Sequence, residues 1–340
     1  MANCNKLFLD FNEELKITST KKSNIMTSKN KLREKIKKHF KDNHPEYKPK
    51  FKLQGSYRLN TLIRTKEDTC DLDDGVYFLR KPDKTGTTLQ KWVKKAVEDA
   101  TNTPPEHREK CIRVIYKGDY HIDLPVYYFD KDNDDHPHIA IKNNGWEESD
   151  PKEFLEWFNS KKDDDRQLVR IVKYLKAWCD HKRNKMPDGM SMTILAEENI
   201  NFNKDRDDKT LRDTLEKMRD SLKNKFECKV PTTPKDDVFE DYNDTRKNNF
   251  LDNLDAFIDD ANKAIDEEKN QLRASKLWQK HLGSRFPDGA DENVDEKEEA
   301  LNERANPVLS GTAFTQRNGR ISKNNDGVPN KEHRNYGSSS

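Results

Sequence analysis

Asp71 and Asp73 are the residues from which chemistry can first be read. They stand two apart in Asp71-Leu72-Asp73-Asp74-Gly75-Val76-Tyr77-Phe78, a run that reads as a strand. Both carboxylates then leave one face, and Asp74 leaves the other. Two carboxylates so close raise each other's pKa unless a cation lies between them. Magnesium suits such a pair, because it takes hard oxygen ligands and leaves positions for substrate phosphates. Asp123 is the one acidic side chain in the otherwise apolar run His121-Ile122-Asp123-Leu124-Pro125-Val126. A carboxylate there needs a partner, either a metal pair or a Lys or Arg. Upstream, the alternating Phe51-Lys52-Leu53 enters Gln54-Gly55-Ser56. At Gly55 no side chain stops backbone N–H groups and a hydroxyl from closing on phosphates.

Together these residues describe nucleotidyl transfer. Two Mg2+ ions, replaceable by Mn2+, would be held by Asp71, Asp73 and Asp123. They would clamp a nucleoside triphosphate and activate an acceptor hydroxyl, so that attack on the α-phosphorus releases pyrophosphate. Asp123 could also receive the hydroxyl proton. No Gly-x-x-x-x-Gly-Lys occurs, which excludes a P-loop reading.

The elements that must position these groups fall into two blocks, an α+β lobe over 1–149 and a helical lobe over 150–305. In the first, Leu7, Phe8, Leu9 and Phe11 form one short apolar patch. The spacing of Leu32, Ile36 and Phe40 predicts a helix capped by Ser28 or Asn30 and ending near Asn43. A helix is expected over 88–100, and strands over 111–116 and 120–129 joined by a turn at Lys117-Gly118-Asp119. From Asp150, which caps a helix with Pro151 at its first position, the pattern is helical. Helices are expected from 151 through Phe158 and over 168–178, 190–199, 211–222, 250–265 and 272–282, with a proline-rich linker at 230–234. Trp146, Trp157, Trp178 and Trp278 read as core or lobe-interface residues, and His121 as structural. Lys35, Lys37, Lys38 and His39 read as a solvated helix face. Residues 306–340 hold little apolar content among Asn, Gly, Ser and Lys, and are expected to form a flexible tail.

Charged residues make up 37% of the 340 and hydrophobic ones 31%, with a mean hydropathy of -1.19, so the apolar residues form a core only because they cluster in runs. The 64 basic and 63 acidic residues give a net charge of +1, which speaks against a long nucleic-acid groove. Five scattered cysteines without a Cys-x-x-Cys pair argue against a disulfide framework or a zinc site. No secretory apolar region opens the sequence and no run approaches a membrane span. The expectation is a cytoplasmic protein without a membrane segment.

Gly55-Ser56, Asp71-x-Asp73 and a strand aspartate form the pattern of the polymerase-β-like nucleotidyltransferases. The local words go further: Cys70-Asp71-Leu72-Asp73-Asp74-Gly75-Val76-Tyr77, His121-Ile122-Asp123-Leu124-Pro125-Val126-Tyr127, Trp146-x-x-Ser149-Asp150-Pro151-Lys152 and Leu175-Lys176-Ala177-Trp178. In this order they closely resemble the bacterial cGAS/DncV-like nucleotidyltransferases (CD-NTases), and the DncV branch most of all, over residues 28–305. The resemblance implies a polymerase-β-like core sheet with a helical C-terminal lobe. It implies a cyclic oligonucleotide second-messenger synthase of an anti-phage defence system, with ATP and GTP joined into 3′,3′-cyclic GMP-AMP. Gln54, Gly55 and Ser56 would contact donor phosphates, and Arg113 a further phosphate. Ser149, Lys176 and Ser191 would contact nucleotide, and Asp236 or Asp237 a base. Where the DncV branch carries an aromatic three residues after the motif serine, this chain has Leu59, on which product identity turns. Some relatives are joined to targets by an E1/E2-like partner, which makes the C-terminus a handle for such a conjugating partner. The alternatives are a linear oligo- or polynucleotide-forming transferase and a non-enzymatic adaptor, and the presence of all three carboxylates argues against the adaptor.

Overall fold

The computed structural model describes residues 2–183, 185–293, 296, 308–322 and 324–330. Its central sheet is built from β1 (Pro49–Gln54), β2 (Asp71–Phe78), β3 (Glu106–His107), β4 (Ile112–Tyr116), β5 (Tyr120–Leu124), β6 (Val126–Tyr128), β7 (His138–Ile141) and β8 (Gly145–Glu148). β2 is the middle of it. β1 runs antiparallel along one edge; along the other, β5 pairs in parallel with the first half of β2 and β6 with the second half. The expected single strand over 120–129 is thus divided at Pro125, which has no N–H to give the ladder, while its carbonyl accepts Val76 N–H at 2.8 Å. β4 and then β3 extend the sheet beyond β5, and β7 and β8 extend it beyond β6.

β2 alternates as its sequence demands. Leu72, Val76 and Phe78 enter a core with Ile25, Leu32, Ile36 and Phe40 of α2 (Ser19–Asn43) and Leu89 and Val93 of α4 (Gly86–Ala96). Asp74 lies on that buried side and is fully enclosed. Arg33 of α2 grips it through Nε, at 2.7 Å, and Nη2. α2 begins at Ser19, with the Thr18 side chain accepting Lys21 N–H, not at the expected Ser28 or Asn30. Its first turns were hidden because the inward positions 21 and 29 are lysines; Lys21 is buried against Asp119 and Asp68.

The helical lobe contains α5 (Pro151–Lys161), α6 (Gln167–Lys182), α7 (Gly189–Asn199), α8 (Asp207–Asn224), α9 (Asp244–Asn262) with a π-turn over Lys263–Glu267, and α10 (Gln271–Leu282). α1 (Asn5–Glu14) joins this lobe, although residues 1–149 were assigned to the other. The reason is aromatic packing: Phe8 meets Tyr174, Trp278 and Phe286 edge-on, with ring centroids 5.1, 4.8 and 4.9 Å apart. Asp207, fully buried, ties α1, α6 and α8 together. It accepts from Gln167 Nε2 (2.9 Å), Arg170 Nε (2.6 Å) and Tyr174 OH (2.9 Å), and its own N–H donates to Asn5 Oδ1 (2.7 Å).

The segment expected to form a flexible tail carries a small antiparallel sheet, with β9 (Phe314–Thr315) between β10 (Ile321–Ser322) and β11 (Val328–Pro329). Strands this short leave no periodic signal. Residues 306–307 and 331–340 lie outside the described residues.

Asp207→Ala removes the buried acceptor shared by Gln167, Arg170 and Tyr174, although Arg170 keeps Asp165 and Tyr174 keeps the Phe8 carbonyl. It is expected to lower the unfolding free energy by about 3 kcal/mol, read as a fall in the urea midpoint, whereas Tyr174→Phe costs only about 1 kcal/mol.

Candidate active site

Strand register assembles the site. Gln54 pairs with Asp73 between β1 and β2, Asp73 with Asp123 between β2 and β5, and Asp123 with Arg113 between β5 and β4. These four residues therefore form one row across four strands, on the face opposite Asp74. Asp71 lies two positions earlier on the same face and pairs with His121. The aspartates that sequence reasoning drew from two distant words converge here.

Gln54-Gly55-Ser56 is the junction of β1 with a short helix, α3 (Gly55–Leu59), where a glycine turn was expected. Gly55 has φ 61°, and a Cβ built on it would stand 2.0 Å from Asp73 Oδ2. The carboxylate therefore rests directly on the Gly55 backbone. Gln54 provides no side-chain cap to α3. Its amide donates to Tyr127 OH (3.1 Å) and accepts from Tyr77 OH (3.3 Å), between two rings stacked at 4.6 Å. The expected phosphate-contacting amide is thus engaged in fixing the turn. That leaves the first N–H groups of α3 without a side-chain acceptor, next to Ser56 on the wall of the cleft.

The cleft, about 930 Å3, lies between the sheet and α5–α7, and Gln54, Gly55, Ser56, Asp71, Asp73, Asp123, Ser149 and Lys176 all line it. Lys176 Nζ crosses from α6 to the Thr61 carbonyl at 2.9 Å. Gly189 makes its room, since a Cβ there would stand 2.8 Å from Lys176 Cε. Burial brings the Lys176 ammonium down to about 8, although Asp73, Asp188 and Asp71 pull the other way. Burial, and then the charges of Asp123 and Asp71, push the Asp73 carboxyl up to about 7, against the pull of Lys176 and Arg113. The three carboxylates fit a divalent cation: all are hard oxygen donors, and Asp73 is held at a pKa that a bound cation would relieve.

Of the two partners open to Asp123, the structure shows arginine. Arg113 Nε donates to Oδ1 and Nη2 to Oδ2, both at 2.7 Å. Arg113, expected at a phosphate, is therefore occupied by a carboxylate. Ser191 is not brought to the cleft wall either. It is buried, with both its N–H and its hydroxyl on Asp188, the cap of α7. Asp236 lines the cleft, whereas Asp237 accepts the N–H groups of Cys228 and Phe239. Leu59 packs into the helical core and shows one side to the cleft. His121, read as structural, has Nδ1 3.0 Å from Asp71 Oδ1; only its register opposite Asp71 signals this. A separate group with ligand-like spacing, His136, Asp150 and Glu153, is committed elsewhere. Asp150 caps α5 and Glu153 accepts Thr233 N–H at 2.9 Å.

Residues 49–127, the segment that holds Gly55, Asp71, Asp73 and Asp123, match the family described as cyclic GMP-AMP synthase DncV-like, nucleotidyltransferase domain. The chain carries a cGAS/DncV-like nucleotidyltransferase domain. Solved structures extend the likeness of fold across both lobes of this DncV-like chain. Vibrio cholerae DncV, a cyclic AMP-GMP synthase, superposes with a TM-score of 0.73 at 17% identity, covering 84% of this chain and 98% of that one. The same enzyme with a linear intermediate, 5′-pppA(3′,5′)pG, gives 0.73 at 17% identity over 84% and 97%. Escherichia coli DncV bound to 3′-deoxy GTP gives 0.69 at 18% identity over 80% and 93%.

Gly55→Ala is expected to lower nucleotidyl transfer by about a hundredfold, because the added methyl displaces a reacting group by about an ångström. Circular dichroism should report an intact fold, and turnover near that of the parent would refute the contact.

Proposed function

We propose that this chain is a cyclic dinucleotide synthase that joins two nucleoside triphosphates with release of pyrophosphate. The observation that carries the reading is the row Gln54–Asp73–Asp123 with Gly55 beneath the central carboxylate, inside a cleft walled by a helical lobe. Its volume is at the upper end for small-molecule sites. Two magnesium ions, or manganese in their place, held by Asp71, Asp73 and Asp123 would neutralise the triphosphate and lower the pKa of the acceptor hydroxyl.

The chain's own residues divide the remaining work. The first N–H groups of α3 and Ser56 offer donors to the donor triphosphate, with Gly55 keeping that approach open. Lys176, charged below its pKa of about 8, faces the phosphates across the lobe boundary while its hydrogen bond to Thr61 holds it in place. His121 orients Asp71 from the side, and the paired tyrosines hold the Gln54 turn. Ser149 and Asp236 stand on the wall where nucleoside groups would lie. By similarity to DncV, the substrates proposed are ATP and GTP and the product 3′,3′-cyclic GMP-AMP, made in the cytoplasm within an anti-phage defence system. A C-terminus joined to a target by an E1/E2-like enzyme belongs to the same reading. No helix among the described residues is long and apolar enough to cross a membrane.

Incubation of the purified protein with all four NTPs and Mg2+, with products resolved by mass, tests the reaction. The expected outcome is a cyclic product containing A and G, lost in Asp71→Asn and Asp73→Asn, each of which removes an anionic ligand without unfolding the protein. Linear oligomers would instead establish the polymerising alternative.

A second test uses pH. Lys176 acts as a cation with a lowered pKa, so kcat/KM is expected to fall as pH rises through about 8. In Lys176→Arg, whose guanidinium stays charged, this alkaline limb should disappear.

A further inference from the structure

A single guanidinium spans two of the three carboxylates. Arg113 satisfies both oxygens of Asp123 at 2.7 Å, and its Nη2 lies 3.6 Å from Asp71 Oδ2. It thus bridges β2 and β5 from β4, as a cation shared by two ligand carboxylates must. The β4–β5 register makes this inevitable, because Arg113 and Asp123 are directly opposed on one face. The other nearby cation, Lys176, spends its hydrogen bond on the Thr61 carbonyl, and Asp73 makes no ion pair among the described residues. Arg113 is thus the cation that pairs directly with Asp123 and Asp71, whereas Lys176 acts on Asp73 through its charge alone.

We infer that Arg113 is a placeholder for the divalent cation. It neutralises Asp71 and Asp123 in the metal-free protein and gives up Asp123 when the ion binds, so that it sets metal affinity by competition. The inference rests on the three aspartates being metal ligands. Two facts of charge and access favour release over a static role. A guanidinium and a divalent ion drawn to the same carboxylates repel each other strongly in a partly buried site, and Arg113 retains 15% side-chain exposure on three flexible methylenes, which leaves it a way out. An incoming triphosphate also brings replacement anions, so the arginine leaves one charged partner for another. A positioning arginine would behave oppositely. By orienting Asp123 it would strengthen metal binding, and its loss would weaken the site about 10–100-fold.

The sign of the effect separates these roles without any turnover measurement. Mn2+ binding to the full-length protein, free of nucleotide, is followed by electron paramagnetic resonance for the wild type, Asp73→Asn, Arg113→Met and Arg113→Lys. Arg113→Met is expected to bind Mn2+ about tenfold more tightly than the wild type, with Arg113→Lys, which keeps the charge without the fork, between the two. Equal or weaker binding in Arg113→Met overturns the inference, and a loss of the size given above makes Arg113 a positioning residue. If Arg113→Met does not fold, the wild type supplies the answer. The Arg113 Nε–H resonance, identified by its absence in Arg113→Lys, should exchange slowly without metal and rapidly at saturating Mg2+; slow exchange in both states overturns the inference. If wild-type Mn2+ binding is absent, or is unaffected by Asp73→Asn, the aspartates are not the ligands and both readings fall.

Discussion

The structure depends on a contact between a carboxylate and a backbone. Asp73 lies against Gly55 so closely that no β-carbon fits between them, and this joins the two halves of the site. One half is the floor of acids on β2 and β5. The other is the turn from β1 into α3, which Gln54 leaves without a side-chain cap and whose Gly55 and Ser56 line the cleft. Were the two separated by the thickness of a methyl group, neither would lose its own chemistry, but they could not serve the same phosphorus. The surroundings maintain the contact. Gln54, one residue before the glycine, is pinned by Tyr77 and Tyr127, and Gly75 clears space for its amide, since a Cβ there would stand 2.6 Å from Gln54 Oε1. Beneath the sheet, the Arg33–Asp74 pair fixes β2 from its buried side. The acids are thus positioned from both faces before any ion arrives.

What could be read from the sequence, and what could not, follows the range of the forces involved. The common face of Asp71 and Asp73, and the opposite face of Asp74, follow from strand alternation alone and are present in the structure. So is the cap of α5 at Asp150. The pairing of Asp123 with Arg113 is a matter of register between strands, and nothing within either strand announces it. The sequence narrowed the partner of Asp123 to a cation, and only the fold shows which one occupies it. The place of His121 beside Asp71 was missed for the same reason. Other misses were local. Asp188 caps α7 through Ser191 N–H, and taking the helix as starting at Met190 made Ser191 look available. β7 and β8 are joined by the three-residue turn Lys142-Asn143-Asn144, which leads into Gly145 at the start of β8, a hairpin signal that was present but lay between runs too short to attract attention.

Catalytic and structural charges in this chain are handled differently. Asp74 and Asp207 are fully buried, but arginines grip each of them, and with Asp207 a tyrosine and a glutamine as well. The acids of the site are less completely matched: Asp73 makes no ion pair among the described residues, and burial with the charges of Asp123 and Asp71 outweighs the pull of Lys176 and Arg113, raising its carboxyl to about 7. Such incomplete compensation is costly to a folded protein and useful to a site that binds cations. A composition with 37% charged residues is compatible with a well-packed molecule because fully buried carboxylates such as Asp74, Asp207 and Asp208 are each held by an arginine.

The placement of α1 has a consequence for how the chain comes together. Residues 2–15 are made before either lobe's other elements, yet their apolar partners include Tyr174, Trp278 and Phe286, and Ala2 N–H donates to the Glu268 carbonyl. While the central sheet condenses from pairings within residues 49–148, Phe8 and Phe11 have nothing to cover them. They must wait for α6 and α10 to emerge. The helical lobe is therefore a ring closed by its two ends in sequence, with the loop-closure entropy of some of the longest-range contacts in the molecule. Closing it is a late step in folding, and the cleft acquires its second wall only as that lobe is completed.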